Sequence, residues 1–241
     1  TLPVSGSARL EGTISGSVTS RARSGHAALT LSAADVVVDQ IAVGAVSATG
    51  TVPLENGGLM TVDATAPGIG ARAKLEIVNR PGYPVSGDVT LEHNQIASLV
   101  PPRYRDQAGD LSGKVSATAH GSGQLADPAG IRGRVDLRVL DLTARGTHLA
   151  LTAPASVTQA DDRIAVDSMD LRLGQRTRAT LRGQLGVAAL PDPLQLHVDG
   201  PLSELIEIGS LAAGAPPAVI KGEGTVAFDM TVGGTLSHPL P

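Results

Sequence analysis

Gly224-Thr225-Val226-Ala227-Phe228-Asp229-Met230 decides the fold. Val226, Phe228 and Met230 occupy every second position, and Val232 continues the series. A period of two puts alternate side chains on opposite faces of a pleated strand, so one face is apolar and the other is not. The same alternation occurs along the chain in Val115, Ala117, Ala119 and in Val135, Leu137, Val139. It returns in Leu149 and Leu151, Ile164 and Val166, Met169, Leu171 and Leu173, and Leu194, Leu196 and Val198. Turn formers separate these runs at Glu55-Asn56-Gly57-Gly58, Gly82, Asp127-Pro128, Gln159-Ala160-Asp161-Asp162 and Pro191-Asp192-Pro193. The pattern predicts an all-β fold of consecutive antiparallel hairpins. Two stretches have apolar residues three and four apart instead, and predict short helices over 96–100 and 202–208.

The chain also repeats itself. Gly113-Lys114-Val115-Ser116-Ala117-Thr118-Ala119 runs on to Gly123-Gln124-Leu125-Ala126-Asp127-Pro128. Gly224 to Met230 runs on in the same way to Gly234-Thr235-Leu236-Ser237-His238-Pro239. A weaker copy begins at Gly6 and leads to Ser15-Gly16-Ser17-Val18, with each short helix just upstream of the next copy. Units of roughly 108 residues follow, bounded at 1–112 and 113–223, with a third begun at 224–241. Units that each present an apolar face stack into an elongated sheet.

Composition narrows the function. The chain has 29 Gly and 16 Pro among 241 residues, which is incompatible with a large helical bundle. Aromatics are 1%, so Val, Leu, Ile and Ala must supply the apolar surface. A net charge of −4 and the lack of a basic run or stacking aromatics argue against nucleic-acid binding. Zero Cys removes disulfides, thiolate metal sites and cysteine nucleophiles. No apolar run reaches the length of a membrane span. The chain opens at Thr1 with neither Met nor leader and is expected to be part of a longer protein.

The G-x-L-x-x-P signatures at Gly123–Pro128 and Gly234–Pro239 each follow a glycine-led strand of small apolar residues. The first of these strands is preceded by a short helix ending in Ser98-Leu99-Val100-Pro101-Pro102. This arrangement resembles the C-terminal region of the TamB/AsmA-like family of bacterial envelope bridge proteins; Val232 to Pro239 is the nearest stretch. The copy begun at Gly6 departs from it, with Val18 for the Leu and Arg21 for the Pro. The resemblance implies a β-sheet curled into a taco-like trough with an apolar interior. It also implies a periplasmic location, anchorage of the full-length protein in the inner membrane, and passage of phospholipid between inner and outer membranes. A TamA-like outer-membrane barrel is the partner it implies for a second role, insertion of outer-membrane proteins.

Enzymatic chemistry finds no support in these residues. The six His stand alone at positions 26, 93, 120, 148, 197 and 238, without ligand spacing, and fit isolated surface residues. Gly109-Asp110-Leu111-Ser112-Gly113-Lys114 departs from a phosphate loop in spacing and in Val115, and fits a strand-opening turn. Asp161-Asp162 fits a solvated turn, and Glu204 with Glu207 fits an exposed helix side. No cofactor is expected. The expected function is a hydrophobic groove for phospholipid acyl chains. Its proposed lining is Val115, Ala117, Ala119, Val135, Leu137, Val139, Leu149, Leu151, Ile164, Val166, Leu171, Leu173, Leu194, Leu196, Val198, Val226, Phe228, Met230 and Val232. The alternatives are a groove for unfolded outer-membrane protein strands, and a structural β-solenoid with a closed core.

Overall fold

The computed structural model describes residues 4–18, 23–38, 40–55, 57–93, 95–100, 110–144, 146–160, 163–186, 192–212, 223–235 and 238–240. Of the expected turns and signatures, Asn56, Pro101, Pro102, Asp161, Asp162, Pro191, Leu236 and Ser237 lie outside the described residues. The fold is all-β and the ladders run antiparallel. The strands are β1 (Val4–Val18), β2 (Arg23–Val38), β3 (Ile41–Pro53), β4 (Leu59–Ala66), β5 (Ala71–Val78), β6 (Pro84–His93), β7 (Ser112–Gln124) and β8 (Asp127–Ala144). They continue as β9 (Thr147–Leu151), β10 (Ala155–Ala160), β11 (Arg163–Leu173), β12 (Thr177–Leu185), β13 (Leu194–Pro201), β14 (Thr225–Thr235) and β15 (His238–Leu240). Sheet order follows chain order, except that β9 and β10 share one place between β8 and β11. Pro154, which has no amide proton to donate, interrupts that shared strand at Thr152-Ala153-Pro154. The Thr152 amide still bonds the Asp170 carbonyl, at 2.8 Å.

Two compact units divide the chain. Unit 1 holds Thr1–His93, Ser98–Pro102 and Thr118–Gly133; unit 2 holds Asn94–Ala97, Arg103–Ala117 and Arg134–Pro241.

Both expected helices are present, with adjusted limits. The first is a 3-10 turn at Ile96–Leu99, and the second is α1 (Leu202–Ala212), which runs past Gly209. A further 3-10 turn, Pro67–Ile69, starts on a proline and ends at Gly70, whose φ of 63° suits glycine. Both four-residue pieces Ile96-Ala97-Ser98-Leu99 and Ile208-Gly209-Ser210-Leu211 are helical and share the pattern I-A/G-S-L. The turn expected at Asp127-Pro128 falls two residues earlier, on Leu125-Ala126, and Asp127 already opens β8. Backbone bonds from the Leu125 and Ala126 amides to Tyr83 and Gly82 hold it against the β5–β6 turn.

The three glycines that begin the sequence copies share a backbone state. Gly6, Gly113 and Gly224 have φ of 145°, 133° and 115°, a region that side chains resist. At Gly113 a Cβ would sit 2.0 Å from the Asp141 carbonyl oxygen.

Candidate functional site: the two-faced sheet

Residues paired across antiparallel strands project from the same side of a sheet, so the register determines what each face displays. In unit 1 one row runs Leu10, Leu31, Ala48, Ala64, Ala73, Val89 from β1 to β6. The neighbouring row on that face is Gly12, Leu29, Gly50, Val62, Leu75, Gly87. The opposite face carries Arg9, Ser32, Ser47, Thr65, Arg72, Thr90 and, beside them, Glu11, Thr30, Thr49, Asp63, Lys74, Asp88. Its polar groups pair with one another: the Ser47 and Thr65 hydroxyls lie 2.8 Å apart, and His120 bonds the Asp88 carboxylate.

Unit 2 repeats the division. Leu171, Ala179, Val198, Phe228 form one apolar row across β11, β12, β13 and β14, and Met169, Leu181, Leu196, Met230 the next. Leu194 pairs Val232 and Gly200 pairs Val226 on the same side. Leu171 and Leu173 also pair Leu151 and Leu149 of β9, and Leu149 pairs Leu142 of β8. The reverse face carries Asp170, Thr180, His197, Asp229. There the Thr180 hydroxyl donates to Asp170 at 2.8 Å, and His197 Nδ1 stands 2.7 Å from Asp229 Oδ1. Ala227, Asp229 and Thr231 therefore lie opposite Phe228 and Met230.

Ile164 and Val166 are separated from Met169 by an odd step, which strict alternation would send to the other side. Val166 pairs Gly183 while Met169 pairs Leu181, so β11 carries one extra residue there. This bulge absorbs the odd step and keeps Ile164, Val166, Met169, Leu171 and Leu173 on one face. Strand β8 changes phase too. Arg134 donates to the Ser156 hydroxyl at 2.6 Å and Ser156 to Asp136 at 2.5 Å, on the side away from the Val157–Val166 pair. Val135 and Leu137 accordingly face the apolar side. By Asp141, which pairs Ala150, the polar side falls on odd positions, and Leu142 joins the apolar face. On β7, Val115, Ala117 and Ala119 are half-buried around a buried Thr118.

The expected lining began only at Val115. Leu10, Ile14, Leu29, Leu31, Val62, Leu75, Ile77, Val85 and Val89 extend the same two-faced arrangement into unit 1. The run Ala71-Arg72-Ala73-Lys74-Leu75-Glu76-Ile77, which alternates strictly, was the signal for it.

Much of this face is uncovered. Leu10 is 67% exposed, Ile14 75% and Phe228 43%, and Val89, Val226 and Met230 are also exposed. Among the described residues the buried apolar side chains are Ala27 and Val43 in unit 1 and Ala150, Ala155, Val166, Ala179 and Val198 in unit 2. None is larger than valine. Glycine and leucine share the second row of unit 1 by leaning: a Cβ on Gly12 or Gly87 would meet the δ-methyl of Leu29 or Leu75 at 2.7 or 2.6 Å. The leucines thus lie over their glycine neighbours and level the surface.

One end of the unit 2 face is covered. Thr177 ends the apolar row beyond Leu173 and is fully buried. The Glu204 carboxylate of α1 accepts hydrogen bonds from the Thr177 hydroxyl at 2.9 Å and from the amides of Thr177 and Arg176 at 3.0 and 3.1 Å. Burial pushes the Glu204 carboxyl upward, but the Arg176 amide, the Thr177 hydroxyl and amide, and the Arg176 charge outweigh it. The group is held below the usual carboxylate range.

No family model, curated protein or solved structure matches the chain. Among the described residues no group of His, Asp and Glu is placed to hold a metal ion, and no helix is long and apolar enough to cross a membrane.

Proposed function

We propose that the chain is a segment of a TamB/AsmA-like bridge protein whose apolar face shields phospholipid acyl chains in transit between the two membranes of a bacterial envelope. The observation that carries this reading is the register itself. Rows of aliphatic side chains continue from strand to strand in each unit while Phe228, Ile14 and Leu10 stay open to solvent. A protein with a closed, dry core would bury its lone Phe first, so the exposure favours a groove over a structural solenoid. Exposing two chains of some sixteen carbons to water costs on the order of 25 kcal/mol, at about 0.8 kcal/mol per CH₂. A continuous apolar row lowers that cost without a pocket or a chemical step, and head groups ride outside the groove in solvent. The unfolded outer-membrane strand is the competing cargo; the aliphatic rows, which offer no hydrogen bonds, favour acyl chains.

The test is ultraviolet crosslinking from a photoreactive amino acid placed at 228 or at 229, with the protein purified from cells and adducts read by mass spectrometry. Position 228 captures phospholipid and 229 does not. Equal capture at both, or none at either, removes the reading.

A further inference from the structure

We propose that α1 is a releasable clip that closes one rim of the unit 2 apolar face, an inference that rests on the groove reading and assigns its regulation. From the end of β13 at Pro201 the helix does not lead onward but turns back over the strand ends already laid down. Glu204 reaches the β11–β12 turn, and Glu207 and Ile208 line, with Gly146, Thr147, Gly174 and Gln175, an open cavity of about 220 Å³ beside the β8–β9 turn. The helix thus lies along the rim where the row of Leu173, Thr177, Gly200 and Val226 ends.

Three features make the attachment specific and separable. One carboxylate supplies the side-chain attachment, with three donors from two consecutive residues and Arg176 Nε at 3.6 Å, beside a backbone bond from the Leu202 amide to the Gly224 carbonyl at 3.0 Å. Two glycines make room: a Cβ at Gly200 would sit 2.4 Å from the Thr177 hydroxyl, and one at Gly174 would be 3.2 Å from the Glu204 carboxylate. The sheet beneath does not need the helix, because Gly200 and Val198 are already paired to β14 and Val198 to β12. Lifting α1 uncovers Thr177, the buried end of that row, and opens a sideways path off the row there.

Hydrogen exchange on the full chain tests the clip, and photocapture of a diazirine-bearing palmitic acid tests the gate. In Glu204→Ala, exchange at Arg176, Thr177 and 202–212 rises at least tenfold, while β13 and β14 keep their protection. Glu204→Gln, which keeps one acceptor oxygen, falls between. Palmitate capture at the β11–β12 end beside Leu173 rises at least threefold, with capture beside Val232 unchanged. Unaltered exchange at Thr177, or loss of protection throughout unit 2, overturns the clip. Unchanged capture beside Leu173, with capture elsewhere intact, overturns the gate. If palmitate is captured nowhere in either protein, the acyl-chain reading fails and exchange alone decides the clip.

Discussion

Single residues in this sheet act through the space beside them. Gly87 sits between Leu75, which leans over it, and the Lys74 carbonyl, 2.3 Å from where a Cβ would be. Backbone cannot yield as a side chain can, so Gly87→Val is expected to cost about 1–3 kcal/mol in a urea titration, as overpacking does. Gly209 is the reverse case, with nothing within 4 Å of its Cβ position. Gly209→Ala in α1 is expected to stabilise by about 0.5–1 kcal/mol. Glu204 adds a pH dependence whose direction is set by its depressed carboxyl. Its contribution is complete above the ordinary glutamate value near about 4.3 and is lost as pH falls through the lower folded value. Arg176 and Glu207 are the charged groups beside it, and only the first favours the ionised form. Glu204→Gln should therefore lower stability at pH 7 by about 1–2 kcal/mol, the worth of charge-assisted bonds, and flatten the acid limb below pH 4. A mutant curve parallel to the wild type through that window would show that Glu204 is not the group responsible.

At the scale of elements, what was legible in the sequence was the period and what was not was its phase. The strand character of the runs from Val115 to Val232, and both short helices, follow from spacing alone. The bulge in β11 does not, because two polar residues, Asp167 and Ser168, between Val166 and Met169 look the same whether a strand ends or carries one extra residue. The phase change in β8 is hidden likewise by Val139-Leu140, adjacent apolar residues that satisfy either side. The turn at Leu125-Ala126 was misplaced because Asp127-Pro128 is the stronger turn signal, and the β5–β6 turn overrode it through two backbone bonds. The bulge gives a sharp prediction. Deleting Ser168 removes the extra residue and makes the step from Val166 to Met169 even, so plain alternation then keeps Ile164, Val166, Met169, Leu171 and Leu173 on one face without a bulge. Unit 2 is expected to keep cooperative unfolding and its hydrogen-exchange protection across β11 and β12; loss of both would contradict the bulge. Substituting Ser168→Ala, which keeps the count, should change stability by no more than about 0.5 kcal/mol.

For the whole molecule, the sequence disclosed the class of surface and not its extent, since the stripe of unit 1 alternates Leu with Gly and Ala and so looks weaker than it is. Far-ultraviolet dichroism should show a β spectrum with a minor helical component from α1; a helix-dominated spectrum would contradict the architecture. The order of the strands has a consequence of another kind. Within unit 1 every strand from β2 to β6 finds its partner in the strand made just before it, so no segment waits for a distant complement. Closing such short loops costs little chain entropy, and from β1 to β6 no ladder skips a strand. Each hairpin can therefore be laid onto the last as the chain is made, with the newest strand offering its free edge to the next. A protein built this way acquires its structure in the direction of its synthesis, like a fabric that is firm up to the row being knitted.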